Sequence, residues 1–369
     1  MRLLGVFIAS AATLTCAAPT RQFDWFFPGW NEYIQEILAD SCGAELAAYR
    51  TGNINTTIAL SSLATPVVDC ILDEYPEFLK TELSASAVVL GSLPIILQSL
   101  GSTTAETALI GLRRPGLAFL LAAGSPTVAA NTAGEFVETL SKFVVTDGED
   151  VAASFNLPGV DWSVVPPLMQ LLISFAEYLI VGGAVANVIH MAYRLGVHAI
   201  VGFTPDTIFM VPLWTLLAVL IHLAGVLGLA LRVKAMEAKS GGDDNNNNDN
   251  NNNSNNNNSN NNNSNNNNNN TWRLPSELIP SAAVIHTILG TLVLSILLFF
   301  SVTDSVIIVA RYMASAVVCR AVARLELSGL RAATKRTCST EGGTGAGRRG
   351  HAGFVLEVEG DHLRRRLHD

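Results

Sequence analysis

Glu177, Asn187, His222 and His286 are the side chains whose type and placement carry the plainest chemical potential, because each lies inside a run of apolar residues. A carboxyl, an amide and two imidazoles can relay protons, hold an ion, or hydrogen-bond one helix to another. An ionisable group placed in hydrocarbon costs about 2.5–3.5 kcal/mol on insertion scales, so such groups face other helices or a wet cavity. Glu177 and Asn187 share one run with Gln170, and His190 sits at its edge; His222 and His286 lie in two later runs. Two readings follow. In one, Glu177 pairs with His222 or His286 in a proton or ion path. In the other, these groups form interhelical hydrogen bonds worth about 0.6–2 kcal/mol each.

Other patterns carry less. Gly345-Ala346-Gly347-Arg348-Arg349-Gly350 fits the spacing of a dinucleotide loop, but it lies in a polar tail with no strand before it and no helix after it. There is no Walker A lysine, nucleophile elbow, H-E-x-x-H or paired C-x-x-C. The sequence therefore predicts no catalytic residues, no cofactor, no metal site and no enzyme. Gly182-Gly183-Ala184 with Ala186 offers a small-residue face for close helix packing, and Gly225 and Gly228 do so less clearly.

The elements that must position these residues follow from composition. Of 369 residues, 49% are hydrophobic and 15% are charged, against about 25% charged in an average soluble domain. The apolar residues are gathered in blocks, which points to lipid surroundings and not to one aqueous core. Five spans are predicted near 84–100, 117–130, 168–189, 211–231 and 281–302, within a bundle over 84–322. The second is the weakest, broken by Gly124-Ser125-Pro126, and reads equally as a re-entrant or interfacial half-helix. Residues 305–319 either continue the fifth span or lie along the membrane surface. Thr103-Thr104-Ala105-Glu106 has the form of a capping box, and Arg113-Arg114-Pro115 interrupts the chain after it. Asp243 to Asn270 is almost pure asparagine with Asp and Ser, and residues 240–270 are predicted to be a disordered loop.

The N-terminus reads as a signal peptide over 1–18: one positive charge, a short apolar run and a small-residue exit. It places residues 19–83 in the lumen, where Cys42 and Cys70 meet an oxidising environment. A bridge between them is predicted, worth roughly 3–4 kcal/mol by chain entropy. Asn55-Thr56-Thr57 is an N-glycosylation sequon. Alternation through five spans makes Arg113, Arg114, Arg194 and a basic tail over 323–369 cytosolic, and the asparagine tract lumenal. The positive-inside rule supports this except at Arg232, Lys234 and Lys239. If 117–130 does not span, those three become cytosolic, and the tail stays cytosolic only if 305–319 spans.

Two stretches carry a resemblance. Val88-Val89-Leu90-Gly91-Ser92-Leu93-Pro94, Leu100-Gly101-Ser102-Thr103-Thr104-Ala105-Glu106, Leu112-Arg113-Arg114-Pro115 and Phe119-Leu120-Leu121-Ala122-Ala123-Gly124-Ser125-Pro126 form the first. Ser301-Val302-Thr303-Asp304 through Arg311-Tyr312-Met313-Ala314-Ser315-Ala316-Val317-Val318-Cys319-Arg320 form the second. Together they resemble a group of uncharacterised multi-pass membrane proteins of filamentous fungi. The resemblance implies a fungal membrane protein and transfers no activity.

The expectation is an all-α membrane protein with about five transmembrane helices, a small disulfide-bonded lumenal region and an Asn-rich loop, in the plasma membrane or an endomembrane. Its partner is the lipid bilayer, not nucleic acid. The role that fits is non-enzymatic, a scaffold or sensor; the competing one is a small-solute or ion transporter built on Glu177 and the span histidines.

Overall fold

The computed structural model describes residues 21–51, 64–128, 166–243 and 262–341. The predicted signal peptide, Asn55, residues 129–165 and most of the basic tail lie outside them. The described chain is all-α apart from one pair of two-residue strands. In order it runs α1 (Asn31–Asp40), α2 (Gly43–Thr51), α3 (Thr65–Glu74), α4 (Glu77–Leu100), α5 (Thr104–Arg113), α6 (Pro115–Gly124), α7 (Pro167–His198), β1 (Ile200–Val201), α8 (Met210–Asp243), α9 (Asn262–Ser295), β2 (Leu297–Leu298) and α10 (Val302–Glu341).

Among the described residues four helices are long and apolar enough to cross a membrane: Glu77–Leu100, Leu168–His198, Met210–Leu231 and Val302–Gly329. Their exposed faces are apolar: Leu168, Leu171, Phe175, Leu179 and Ile180 on α7 all stand open, and only 22% of the apolar stretch of α7 is buried. A water-soluble helix buries such a stripe; one surrounded by lipid does not. This is an all-α membrane protein.

The helix boundaries revise three expectations. Among the described residues no helix of spanning length covers segment 117–130: α6 is a 10-residue helix from Pro115 to Gly124, about half of what a bilayer requires and in keeping with the half-helix reading. Ser125 has an extended backbone, and Pro126 follows it, so the helix stops where the Gly-Ser-Pro sequence predicts. Segment 281–302 is shorter than expected. Its apolar part ends at Ser295, and 305–319 belongs to a separate helix, α10, whose apolar portion runs from Val302 past residue 322 to Gly329. Helix also extends into both ends of the tract expected to lack structure, to Asp243 on α8 and from Asn262 on α9; residues 244–261 lie outside the described residues. Helix propagates cheaply from a formed span, and asparagine costs less than about 0.7 kcal/mol per residue relative to alanine.

The chain divides into two compact units. The first takes Met1–Leu97, Ala186–Leu217 and His286–Ser315; the second takes Gln98–Val185, Ala218–Ile285 and Ala316–Asp369. In the first, α1–α3 and the turn before them form a cap on an apolar core that includes Phe23, Phe26, Trp30, Ile34, Leu38, Val67, Ile71 and Tyr75. The predicted Cys42–Cys70 disulfide is formed and lies in that core. Ile200 of β1 and Phe299 after β2 complete it. β1 and β2 pair antiparallel, Ile200 with Leu298 and Val201 with Leu297. Phe299 has φ 67°, a left-handed conformation costing a non-glycine residue about 1–3 kcal/mol. Its ring packs edge-on against Phe26 and Tyr75, 5.7 and 5.9 Å between centroids.

Polar contacts fasten the cap to the helix ends around it. Gly29 N–H donates to Asp304 Oδ2 at 2.9 Å, His198 Nδ1 meets the Trp25 carbonyl at 3.2 Å, and Ala64 N–H donates to Asp206 Oδ1 at 3.1 Å. Ser301 caps α10, its hydroxyl accepting from Asp304 N–H at 3.0 Å and donating to the Asp304 carboxylate at 2.9 Å. The Arg194 guanidinium stacks over the Phe27 ring at 4.8 Å.

In the second unit the small core is Ile110, Leu117, Leu121, Val181, Ala184, Cys319, Val322, Ala323 and Leu327 among others. Gly124 lets α6 approach α10 here: a Cβ at Gly124 would lie 2.7 Å from Cys319 Sγ. Of the predicted small-residue face, Ala184 is buried at Gly124, whereas a Cβ at Gly182 or Gly183 would meet nothing within 4 Å.

Candidate functional site

The site is built at the junction of α5 and α6. Thr103 caps α5 with a complete capping box: its hydroxyl accepts from Glu106 N–H at 3.1 Å, and the Glu106 carboxylate accepts from Thr103 N–H at 2.8 Å. The helix ends because the residue before a proline is pushed out of the α region; Arg114, before Pro115, has φ −132° and ψ 75°. The break turns the Arg114 side chain toward α7 and α10. Its Nη1 donates to Glu177 Oε2 at 3.2 Å and also to Glu326 Oε1. The two carboxylate side chains are 5% and 7% exposed, and the Arg114 side chain is 30% exposed. The two carboxylates thus converge on a single guanidinium nitrogen. Glu177 Oε1 is buried without a hydrogen-bond donor.

Glu177 therefore does not pair with a histidine. His222, fully buried, directs Nε2 at the Thr127 carbonyl, 2.6 Å away. His286 directs Nε2 at the Trp214 carbonyl at 3.1 Å and stacks on the Trp214 ring, 5.4 Å between centroids. A carbonyl only accepts, so in both residues Nε2 carries the proton. The sequence leaves both readings open because sequence order does not say which face of one helix meets which face of another. Asn187 makes four bonds to α10: Nδ2 donates to the Arg311 carbonyl at 3.0 Å and to Ser315 Oγ at 2.8 Å, while Oδ1 accepts from Arg311 Nε at 2.9 Å and Nη2 at 2.6 Å. Elsewhere in the second unit, Arg320 Nη1 donates to the Ser99 and Leu100 carbonyls at 2.9 and 3.0 Å, satisfying orphan acceptors at the end of α4.

Arg114, Glu326 and Arg311 are the residues that sequence reasoning missed as members of polar sites. Arg114 reads as part of a cytosolic loop, and Glu326 falls beyond the predicted bundle boundary at 322. The available signal was the helix-period apolar pattern running on past Cys319, at Val322, Ala323 and Leu327. It places an acid at position 326 on a span. Neither the protein families, the curated proteins nor the solved structures provide a match to the chain.

Proposed function

We propose that this multi-pass membrane protein is a non-enzymatic scaffold of secretory-pathway membranes, with its disulfide-bonded cap in the lumen. The observation that carries the reading is how the polar groups of the spans are used. Asn187 spends four hydrogen bonds on α10, His286 bonds the Trp214 carbonyl, His222 bonds the Thr127 carbonyl, and Glu177 bonds Arg114. Such groups act as ties between segments, each adding roughly 0.6–2 kcal/mol to the assembled bundle. The fungal origin implied by the resemblance belongs to the same proposal, and so does a lipid bilayer as the main partner.

The proposal includes a sidedness. The pairing of β1 with β2, and the contacts of the cap with His198, Asp206 and Asp304, gather the segments after α7 and α9 and before α8 and α10 with the cap. If α4, α7, α8, the apolar end of α9 and α10 each cross once, the cap side is lumenal. Arg113, Arg114, Arg232, Lys234, Lys239 and the basic tail are then all cytosolic. That arrangement removes the violation of the positive-inside rule at Arg232, Lys234 and Lys239 that a spanning 117–130 created, and it puts Arg194, stacked on Phe27 of the cap, on the lumenal side as an exception. The asparagine tract has sequons of its own, at Asn252, Asn257, Asn262 and Asn269. Glycosidase-shift mapping is expected to find glycan on Asn55 and none on these four; glycan on the tract overturns this sidedness.

A second reading, a small-solute or ion transporter, is favoured by one observation: Glu177 Oε1 is buried with no donor. Sealed vesicles carrying the purified protein separate the two. The scaffold reading expects proton and solute flux equal to protein-free vesicles. Flux that appears with the wild type and vanishes in Glu177→Gln overturns it.

A further inference from the structure

We infer that Glu177 and Glu326 hold one exchangeable proton between their carboxyl groups, so that with Arg114 they form a proton-binding site. Ionised carboxylates are acceptors only, and these two meet on one guanidinium nitrogen, Arg114 Nη1. Two buried carboxylates on one cation leave a negative charge that a proton held by the pair cancels. Burial sharpens the requirement, since neither side chain has water to replace a missing donor: the two are 5% and 7% exposed. Glu177 Oε1 is the buried acceptor left without a donor. Arg114 meets the pair through Nη1, at Glu177 Oε2 and Glu326 Oε1, and none of its donors reaches Glu177 Oε1.

Other charged and titratable groups lie on the same elements. Arg320 donates to the Ser99 and Leu100 carbonyls. Cys319 packs at Gly124, and the Tyr178 hydroxyl lies near Gly116. Arg113 and Arg324 each have a partner. The half-open Arg114 side chain supplies the route by which water exchanges the proton. When hydroxide removes it, water forms and two carboxylates are left on one guanidinium, so the junction of α5 and α6, α7 and α10 are held by a strained clasp. When hydronium returns it, the clasp is restored. The inference does not depend on the scaffold reading, because a static proton-bridged clasp and a transport site would both hold this proton.

Infrared spectroscopy of the full-length protein in lipid nanodiscs tests it. At neutral pH the wild type is expected to show a protonated-carboxyl carbonyl band that moves to lower frequency when glutamate is labelled with carbon-13 and disappears on raising the pH. The same band is expected to be lost in Glu177→Gln and in Glu326→Gln, since an amide supplies the donor and leaves a single carboxylate for Arg114. Elution volume and helical circular dichroism report whether each variant folds. A wild-type spectrum with no label-sensitive carboxyl band overturns the inference without recourse to a variant, and so does a band that persists in both folded variants. Vesicle flux is read separately, so failure here and failure of the scaffold reading are distinct results.

Discussion

Tyr75 shows what one buried polar atom does to the cap. Its ring packs edge-on against Trp30 and Phe299, and its hydroxyl is buried without a partner. Burial, and secondarily the neighbouring Tyr33, raise its ionisation well above the ordinary tyrosine range. The folded cap thus retains a proton that the unfolded chain releases near pH 10. The stabilisation is complete below about pH 10 and declines as the pH climbs from there. Tyr75→Phe keeps the ring and removes the orphan hydroxyl. It is expected to leave stability unchanged or raise it by about 1 kcal/mol at neutral pH, and to flatten the alkaline loss. Thermal unfolding followed by intrinsic fluorescence at pH 8 and pH 11 checks this; equal alkaline losses in the two proteins refute it. At this scale the sequence showed which residues were costly in lipid, because charge and amide groups stand out in an apolar run. It did not show their partners. Glu177 finds Arg114 through a backbone break at Pro115, and Asn187 finds Arg311 through helix rotation, and neither is a property of local sequence.

Helices here meet where a missing Cβ allows it, and the position of the glycine decides which ones matter. A Cβ at Gly290 on α9 would lie 2.7 Å from Trp214 Cε2 and 2.9 Å from Pro94 Cγ, with no flexible chain end to yield. Gly290→Ala is expected to cost about 1–3 kcal/mol through overpacking. Gly182→Ala, in open space, is expected to be neutral or slightly stabilising, since glycine is the poorer helix former by about 1 kcal/mol. Midpoints of thermal unfolding in detergent compare the pair, and a Gly290→Ala midpoint at or above wild type contradicts the packing argument. Long periodic apolar runs made α7 and α8 legible, and the capping box made α5 legible at its first residue. The region 281–319 was harder, because the apolar pattern continues through the bend at Leu297–Ser301. Only pairing with β1, about a hundred residues earlier in the chain, reveals that two helices end there.

The cap joins segments that are far apart in the chain, and the disulfide is its one covalent tie. Replacing Cys42 and Cys70 with serine is expected to lower cap stability by about 2–5 kcal/mol, read as a lower unfolding midpoint of the purified protein that reductant reproduces in the wild type. An unchanged midpoint in both shows that the bridge adds nothing. Composition and the two cysteines made the membrane class and the disulfide legible from sequence. The closing of the cap by residues after α9 was not, because a long-range contact leaves no local pattern. That contact also sets a timetable. Gly29 must wait for Asp304, 275 residues later, and at about 5–20 residues per second the ribosome needs on the order of tens of seconds to make that stretch. Throughout that interval Phe26 and Phe27 lack Phe299 and Phe300. The nascent cap therefore emerges with its aromatic seam unsealed, so truncations that remove Phe299, Phe300 and Asp304 should destabilise the N-terminal cap.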